Sequence, residues 1–214
     1  MLVILDWDGT VCNSEARIVS CMQRAAEGVG LPVPAAGAVG NIIGLGLPEA
    51  VGILFPEVVD DQRQRLRERY SEEWLAARSE PLPLFDGVLS TFDSLLGAGH
   101  RLAVATGKSR RGLEREFREL GLGSMFVASR CADETASKPD PRMLRELLLE
   151  TGCPVEEAVM VGDTVYDLNM AAAMDMAAIG VSYGVHDRER LQACGPQAII
   201  DRFPELLEWP PLGG

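Results

Sequence analysis

The chain has 214 residues, of which 47% are hydrophobic and 24% charged, and it carries a formal net charge of -12. Its length can bury a substantial core, as one domain with an insertion or as two small domains. The acidic balance argues against nucleic-acid binding, and no apolar run reaches the roughly 20 residues that cross a bilayer.

The N-terminus shows no basic segment leading into a signal-type apolar stretch, so a cytoplasmic protein is expected. Cys12, Cys21, Cys131, Cys153 and Cys194 form no C-x-x-C pair. They read as reduced thiols, mostly small core residues. Nothing in the sequence fixes the oligomeric state.

The run Leu2 to Leu5 reads as a buried parallel strand that ends abruptly in Asp6-Trp7-Asp8-Gly9-Thr10. Strand alternation sends Asp6 and Asp8 to one side and Trp7 to the other, where packing is its expected role. In an open α/β sheet the carboxyl ends of the strands face the ligand crevice, and both acids are placed there. Asn13-Ser14-Glu15 starts a helix running from about Ala16 to Val29, which Gly30 and Pro32 end. Pro34 to Gly46 reads as an irregular Gly/Ala-rich segment, with a loop at Asn41 to Pro48 presented between helices. Its Gly44-x-Gly46 lacks the third glycine and the strand context of a dinucleotide fingerprint. A helix is expected from near Pro48, and Asp60 to Ala77 forms a second long amphipathic stretch with Leu66, Tyr70, Trp74 and Ala77 on one face. Residues 14 to 80 are therefore a helical block, with Ser79-Glu80-Pro81-Leu82-Pro83 as its return linker.

A helix from Gly87 to Ala98 leads into a second buried strand, Arg101 to Ala105, which ends in Thr106-Gly107-Lys108-Ser109. A helix follows at Arg110 to Leu120, then a short strand around Phe126 to Ala128. A loop runs on to Ser137-Lys138-Pro139-Asp140-Pro141, and Pro141 suits the first turn of a helix reaching Glu150. Ala158 to Val161 is a strand ending in Gly162-Asp163-Thr164-Val165-Tyr166-Asp167, with a helix to about Met174 and a final strand at Ala177 to Ser182. Strands alternating with helices predict an α/β fold with a doubly wound, mostly parallel sheet.

Three strand ends thus collect Asp6 and Asp8, Thr106 with the Gly107 amide, and Asp163 with Asp167, while Lys138 arrives from a loop. Together they supply a carboxylate nucleophile, an acid/base partner, donors for phosphoryl oxygens, a point cation and further acids for Mg2+. Oxygen-only donors suit Mg2+, and no histidine cluster favours zinc. An anionic substrate is compatible with an acidic chain where a metal ion and one or two cations invert the local field.

In these motifs and in their order, the chain resembles the haloacid-dehalogenase-like hydrolases, in particular the phosphoglycolate-phosphatase-like branch with a helical cap inserted after the first motif. The resemblance rests on Asp6-Trp7-Asp8-Gly9-Thr10, Ala105-Thr106-Gly107, Lys138-Pro139 and Gly162-Asp163-Thr164-x-x-Asp167, and it covers essentially the whole chain. It implies a Rossmann-like core at 1–13 and 84–214 and an inserted α-helical cap at 14–83. It further implies that Asp6 attacks phosphorus to form an aspartyl-phosphate, and that Asp8 protonates the leaving alkoxide and then deprotonates the hydrolytic water. Thr106 and the Gly107 amide would hold phosphoryl oxygens, and Lys138 would neutralise phosphate and nucleophile. Asp163 would bind Mg2+ with the Asp6 carboxylate and the Asp8 backbone carbonyl, and Asp167 would do so directly or through water.

The implied activity is hydrolysis of a small phosphorylated metabolite, 2-phosphoglycolate or a similar phosphomonoester. The alternatives are a phosphomutase acting on a sugar phosphate and a non-catalytic module of the same fold. Dehalogenation is disfavoured by the second acid, Asp8. A nucleotide-binding P-loop ending in Gly107-Lys108-Ser109 is excluded because Leu102 stands where its first glycine is required. Gly44, Leu45 and Gly46 are expected to close over the substrate. Hinges are expected near Cys12 to Ser14 and Ser79 to Pro83. Lys108 is expected to face solvent, and His100 and His186 to have surface or packing roles.

Overall fold

The computed structural model describes residues 1–77 and 82–213. The expected linker residues Ser79, Glu80 and Pro81 lie outside the described residues. Six strands form one parallel sheet: β1 (Leu2–Leu5), β2 (Arg101–Thr106), β3 (Phe126–Cys131), β4 (Ala158–Gly162), β5 (Ala177–Val181) and β6 (Ala198–Ile200), in the spatial order β3-β2-β1-β4-β5-β6. β1 is central because all four of its residues are apolar and can be covered on both faces. Val3 and Leu5 join Phe92, Val104 and Val161 in one core cluster, whereas Leu2 and Ile4 join Ala103, Met143 and Met160 in the other. The strand order reverses between β1 and β4, which opens a crevice beyond their carboxyl ends. In register, Leu5 lies opposite Val104 on one side and Val161 on the other, so the residues that follow these three strands emerge side by side.

Between β1 and β2 the chain forms α1 (Glu15–Gly28), α2 (Ala36–Gly40), α3 (Leu47–Leu54), α4 (Asp60–Ala76) and α5 (Val88–Gly97). The first four bury a cluster of their own, including Met22, Val39, Ile43, Val51, Leu66 and Trp74. α5 instead packs its Val88, Phe92 and Leu95 on the sheet. The chain enters and leaves the helical insertion on adjacent paths. Cys12 pairs with Leu84 as an isolated antiparallel bridge, and the Asn13 amide donates to the Pro83 carbonyl at 2.9 Å.

The remaining helices, α6 (Arg110–Leu120), α7 (Arg142–Thr151), α8 (Val165–Ala172) and α9 (Arg188–Ala193), follow β2, β3, β4 and β5 respectively. Three elements depart from the expectation. The Pro34 to Gly46 segment contains α2, because Val39, Ile42 and Ile43 at helical spacing are buried despite the surrounding glycines. β3 continues to Cys131; as an edge strand it tolerates Arg130, which ion-pairs with Glu146 and Glu150. Ala177–Val181 is followed by a further strand, β6, whose three residues are too few for a clear period-two pattern.

Candidate active site

Asp6 follows directly on β1, its amide donating to the Val161 carbonyl at 2.9 Å, so the sheet register itself sets its position. Its side chain is buried. One carboxylate oxygen, Oδ1, accepts from Lys138 Nζ; the other, Oδ2, is buried and has no hydrogen-bond partner among the described residues. Lys138 reaches it from the loop after β3, and its Nζ also donates to Asp167 Oδ1 at 2.6 Å. Burial opposes the ammonium charge, but Asp167 and Asp6 outweigh it and hold Lys138 above the ordinary lysine range. Burial pushes Asp6 well above the usual carboxylate range, with Lys138 opposing and Asp167 and Asp163 adding to the rise.

Asp163 follows β4 and is fixed by two donors: Thr10 Oγ1 at 3.0 Å and the Val185 amide at 2.9 Å. Burial and the neighbouring Asp167 push it up to about 7. Gly9 is required beside it, since at φ +89° a Cβ would stand 2.2 Å from Asp163 Oδ2. Asp167 closes a capping box at the start of α8: its Oδ2 accepts from the Thr164 hydroxyl at 2.7 Å and the Thr164 amide at 3.2 Å. Both of its oxygens thus have protein donors, whereas Asp6 Oδ2 has none. Asp6, Asp163 and Asp167 each bring a carboxylate oxygen within 4.8 Å of the others. This buried, all-oxygen donor set with one unpartnered oxygen fits a hard divalent cation such as Mg2+.

Asp8 sits on the adjacent flank, accepting from Ser14 Oγ at 2.6 Å and from Lys108 Nζ at 2.9 and 3.0 Å. Lys108 was expected to face solvent; instead its side chain is buried and its ammonium also pairs with Glu116 Oε1 at 2.9 Å. Trp7 Nε1 donates to Glu116 Oε2 at 2.6 Å, and Lys108 Nζ lies 4.5 Å from the Trp74 ring centroid. Trp7 packs as expected, against Phe117 and Phe126. The signal for this network was Glu116 itself, an acid on the face of α6 shared with Leu113, Phe117 and Leu120. Ser14 was read only as a helix start; its hydroxyl is turned to Asp8 and makes no helix cap.

Thr106 ends β2, fully buried, and its hydroxyl accepts from the Lys108 amide at 3.2 Å. The loop at Gly44, Leu45 and Gly46 lies directly on Gly107, where an added Cβ would come within 2.4 Å of the Leu45 carbonyl oxygen. The loop is tied down by the Gly46 amide to Ser137 Oγ at 2.8 Å and by Tyr166 OH to the Asn41 carbonyl at 2.9 Å. His186 is buried rather than superficial, its Nδ1 accepting from the Val165 amide at 3.0 Å, and His100 Nδ1 lies 3.0 Å from the N-terminal ammonium. Between insertion and core lies a cavity of about 230 Å³ that reaches Asp6, Asp8, Thr106, Gly107, Gly44 and Leu45. Lys138, Asp163 and Asp167 stand outside its lining, with Lys138 bonded to both Asp6 and Asp167.

The chain has relatives among known proteins. A family model described as haloacid dehalogenase-like hydrolase matches residues 3–181. IndB of Dickeya dadantii, named a probable phosphatase, is 35% identical over 96% of this chain and 91% of its own length. A protein named phosphoglycolate phosphatase from Agrobacterium fabrum is 30% identical over 96% of this chain and 90% of its own. A crystal structure of a haloacid dehalogenase-like hydrolase from Bacteroides fragilis superposes with a TM-score of 0.89 at 26% identity, covering 96% of this chain and 98% of that one. With the matched model spanning both strand-end acid pairs and the loop lysine between them, the chain belongs to the haloacid dehalogenase-like hydrolases.

Proposed function

We propose that the chain is a Mg2+-dependent phosphomonoesterase acting on a small phosphorylated metabolite through a phosphoryl intermediate on Asp6, with residues 14–83 as its cap. The observation that carries this reading is Asp6 itself, a residue of the cavity lining held by Lys138 through one oxygen while the other has no partner among the described residues. A carboxylate oxygen of Asp6 attacks phosphorus as the bond to the leaving alcohol oxygen breaks, and Asp8 gives the alcohol oxygen a proton. Water then attacks the aspartyl-phosphate, Asp8 takes back a proton, and Asp6 leaves as a carboxylate. Thr106 and the Gly107 amide receive phosphoryl oxygens, and Lys138 offsets the charge gathered at Asp6. Mg2+ would be held by Asp6, Asp163 and the Asp8 backbone carbonyl, and supplies Lewis-acid stabilisation of phosphoryl oxygens. Asp167, with both oxygens engaged by Lys138 and Thr164, would support the cation through water instead of as a direct ligand. The names of several relatives make 2-phosphoglycolate the first ester to include in a substrate panel.

The test is phosphate release from a panel of phosphomonoesters with Mg2+ and with EDTA. Release that needs the metal supports the reading, and a panel without any metal-dependent release overturns it. A phosphomutase would instead interconvert sugar phosphates without net release.

Cation binding has its own expected signature. Asp163, raised from 3.8 to about 7, binds a proton more tightly in the folded chain. Its contribution to stability is therefore fully present below about pH 4 and is lost as pH rises through about 7. Because Mg2+ competes with that proton, it is expected to raise the thermal midpoint more near pH 8 than near about pH 5.5. Equal shifts at both pH values would contradict this.

Gly107→Ala is expected to lower kcat/KM about a hundredfold, since the new methyl displaces the Gly44-Leu45 loop and the phosphate-binding amide with it. Steady-state kinetics of the variant would check this, and unchanged kinetics would show that the loop does not position the site.

A further inference from the structure

Resting on the phosphatase reading, the cavity walls bear on which alcohol the phosphoryl group leaves. The insertion contributes Ile18, Met22, Ile43, Leu47, Trp74 and Leu75, with the hydroxyl-bearing Tyr70 and Ser71 as its polar side chains in the lining. Among the described residues, no charged side chain of the insertion lines the cavity. The cations in the lining all belong to the core: Lys108, committed to Asp8 and Glu116, and Arg111 and Arg115 on α6. A glycolate leaving group is a two-carbon anion. In a cavity of about 230 Å³ it would leave most of these walls against water and gain nothing from them.

We infer that the substrate is a phosphate ester of an alcohol bearing an uncharged apolar group about the size of an aromatic ring, seated against the insertion while its phosphate meets Asp6. Burying such a group against the insertion selects for it because the insertion's uncharged walls cannot repay the desolvation of a carboxylate placed against them. Leu47 and Leu75 are the specificity-determining positions most open to change, being only partly buried at the first turn of α3 and the end of α4.

The experiment compares kcat/KM for 2-phenylethyl phosphate, ethyl phosphate and 2-phosphoglycolate in the Mg2+-loaded enzyme. The first two release alcohols of similar acidity, so their ratio reports binding of the ring rather than leaving-group chemistry. A preference for 2-phenylethyl phosphate on the order of 10- to 100-fold over both others is expected. Leu47→Arg is expected to lower that ratio and raise relative turnover of 2-phosphoglycolate. Leu75→Arg, at a position that is 40% exposed and so tolerant of a charge, repeats the test if the first variant does not fold. Equal turnover of ethyl and 2-phenylethyl phosphate, or a preference for 2-phosphoglycolate, overturns the inference while leaving a working phosphatase. Absence of release from all three esters removes the phosphatase reading and this inference with it.

Discussion

Asp6→Asn is expected to abolish phosphate release, by at least about four orders of magnitude, while leaving a protein whose thermal midpoint is unchanged or higher. The amide cannot attack phosphorus, yet its oxygen can still accept from Lys138 where Asp6 Oδ1 now does. The direction of the stability change follows from the carboxyl group. Burial, with Asp167 and Asp163 adding to it, raises Asp6 well above its ordinary value despite Lys138. An acid raised in this way stabilises the fold when protonated and costs stability as pH rises through its folded value. A neutral isostere at neutral pH removes that cost. Phosphate-release assays and thermal denaturation in parallel check both halves: appreciable turnover would dismiss Asp6 as the nucleophile, and a collapsed midpoint would make it a structural acid.

Lys138→Met is expected to fail differently, losing activity and about 3–5 kcal/mol of stability together near neutral pH. Lys138 Nζ is buried between Asp6 and Asp167, and without it both acids face each other and Asp163 with no nearby ammonium. Lys138 is itself held above its ordinary 10.5, so its contribution is complete below that value and is lost only at higher pH. The pH dependence of the variant therefore belongs to the acids. Its deficit should shrink as acidification protonates them, which urea denaturation at about pH 5 and about pH 8 would show. A deficit independent of pH would mean that Lys138 contributes by packing its stem and not by neutralising charge.

The strands that carry the chemistry were legible because β1, β2 and β4 are continuous apolar runs that stop at polar residues. Such runs are what a parallel sheet buried on both faces demands. α2 and β6 were not, since five Ala/Gly-rich residues and three edge-strand residues carry too little periodicity to stand out. Within the site, the acids and Lys138 were readable from their place at strand and loop ends. The network around Asp8 was not, because Ser14, Lys108 and Glu116 come from three elements that only the folded chain brings together. Lys108 looked like an exposed helix-start cation in sequence. Its burial is decided by the Asp8 and Glu116 carboxylates and the Trp74 ring, partners 100, 8 and 34 positions away.

 Glu116 and Trp74 lie on α6 and α4, and neither separation follows a local helical or strand spacing that would have announced the contact.

The most direct test of the account is to look for the phosphoryl group on the protein. The Asp8→Asn variant, loaded with Mg2+ and mixed with an aryl phosphate whose leaving group needs little protonation, should form the intermediate but hydrolyse it slowly. After acid quench and proteolysis, mass spectrometry should find one added phosphoryl group on the peptide containing Asp6, removed by hydroxylamine. Phosphorylation at any other residue, or turnover without a phosphorylated peptide, would contradict the assignment of Asp6 as the nucleophile.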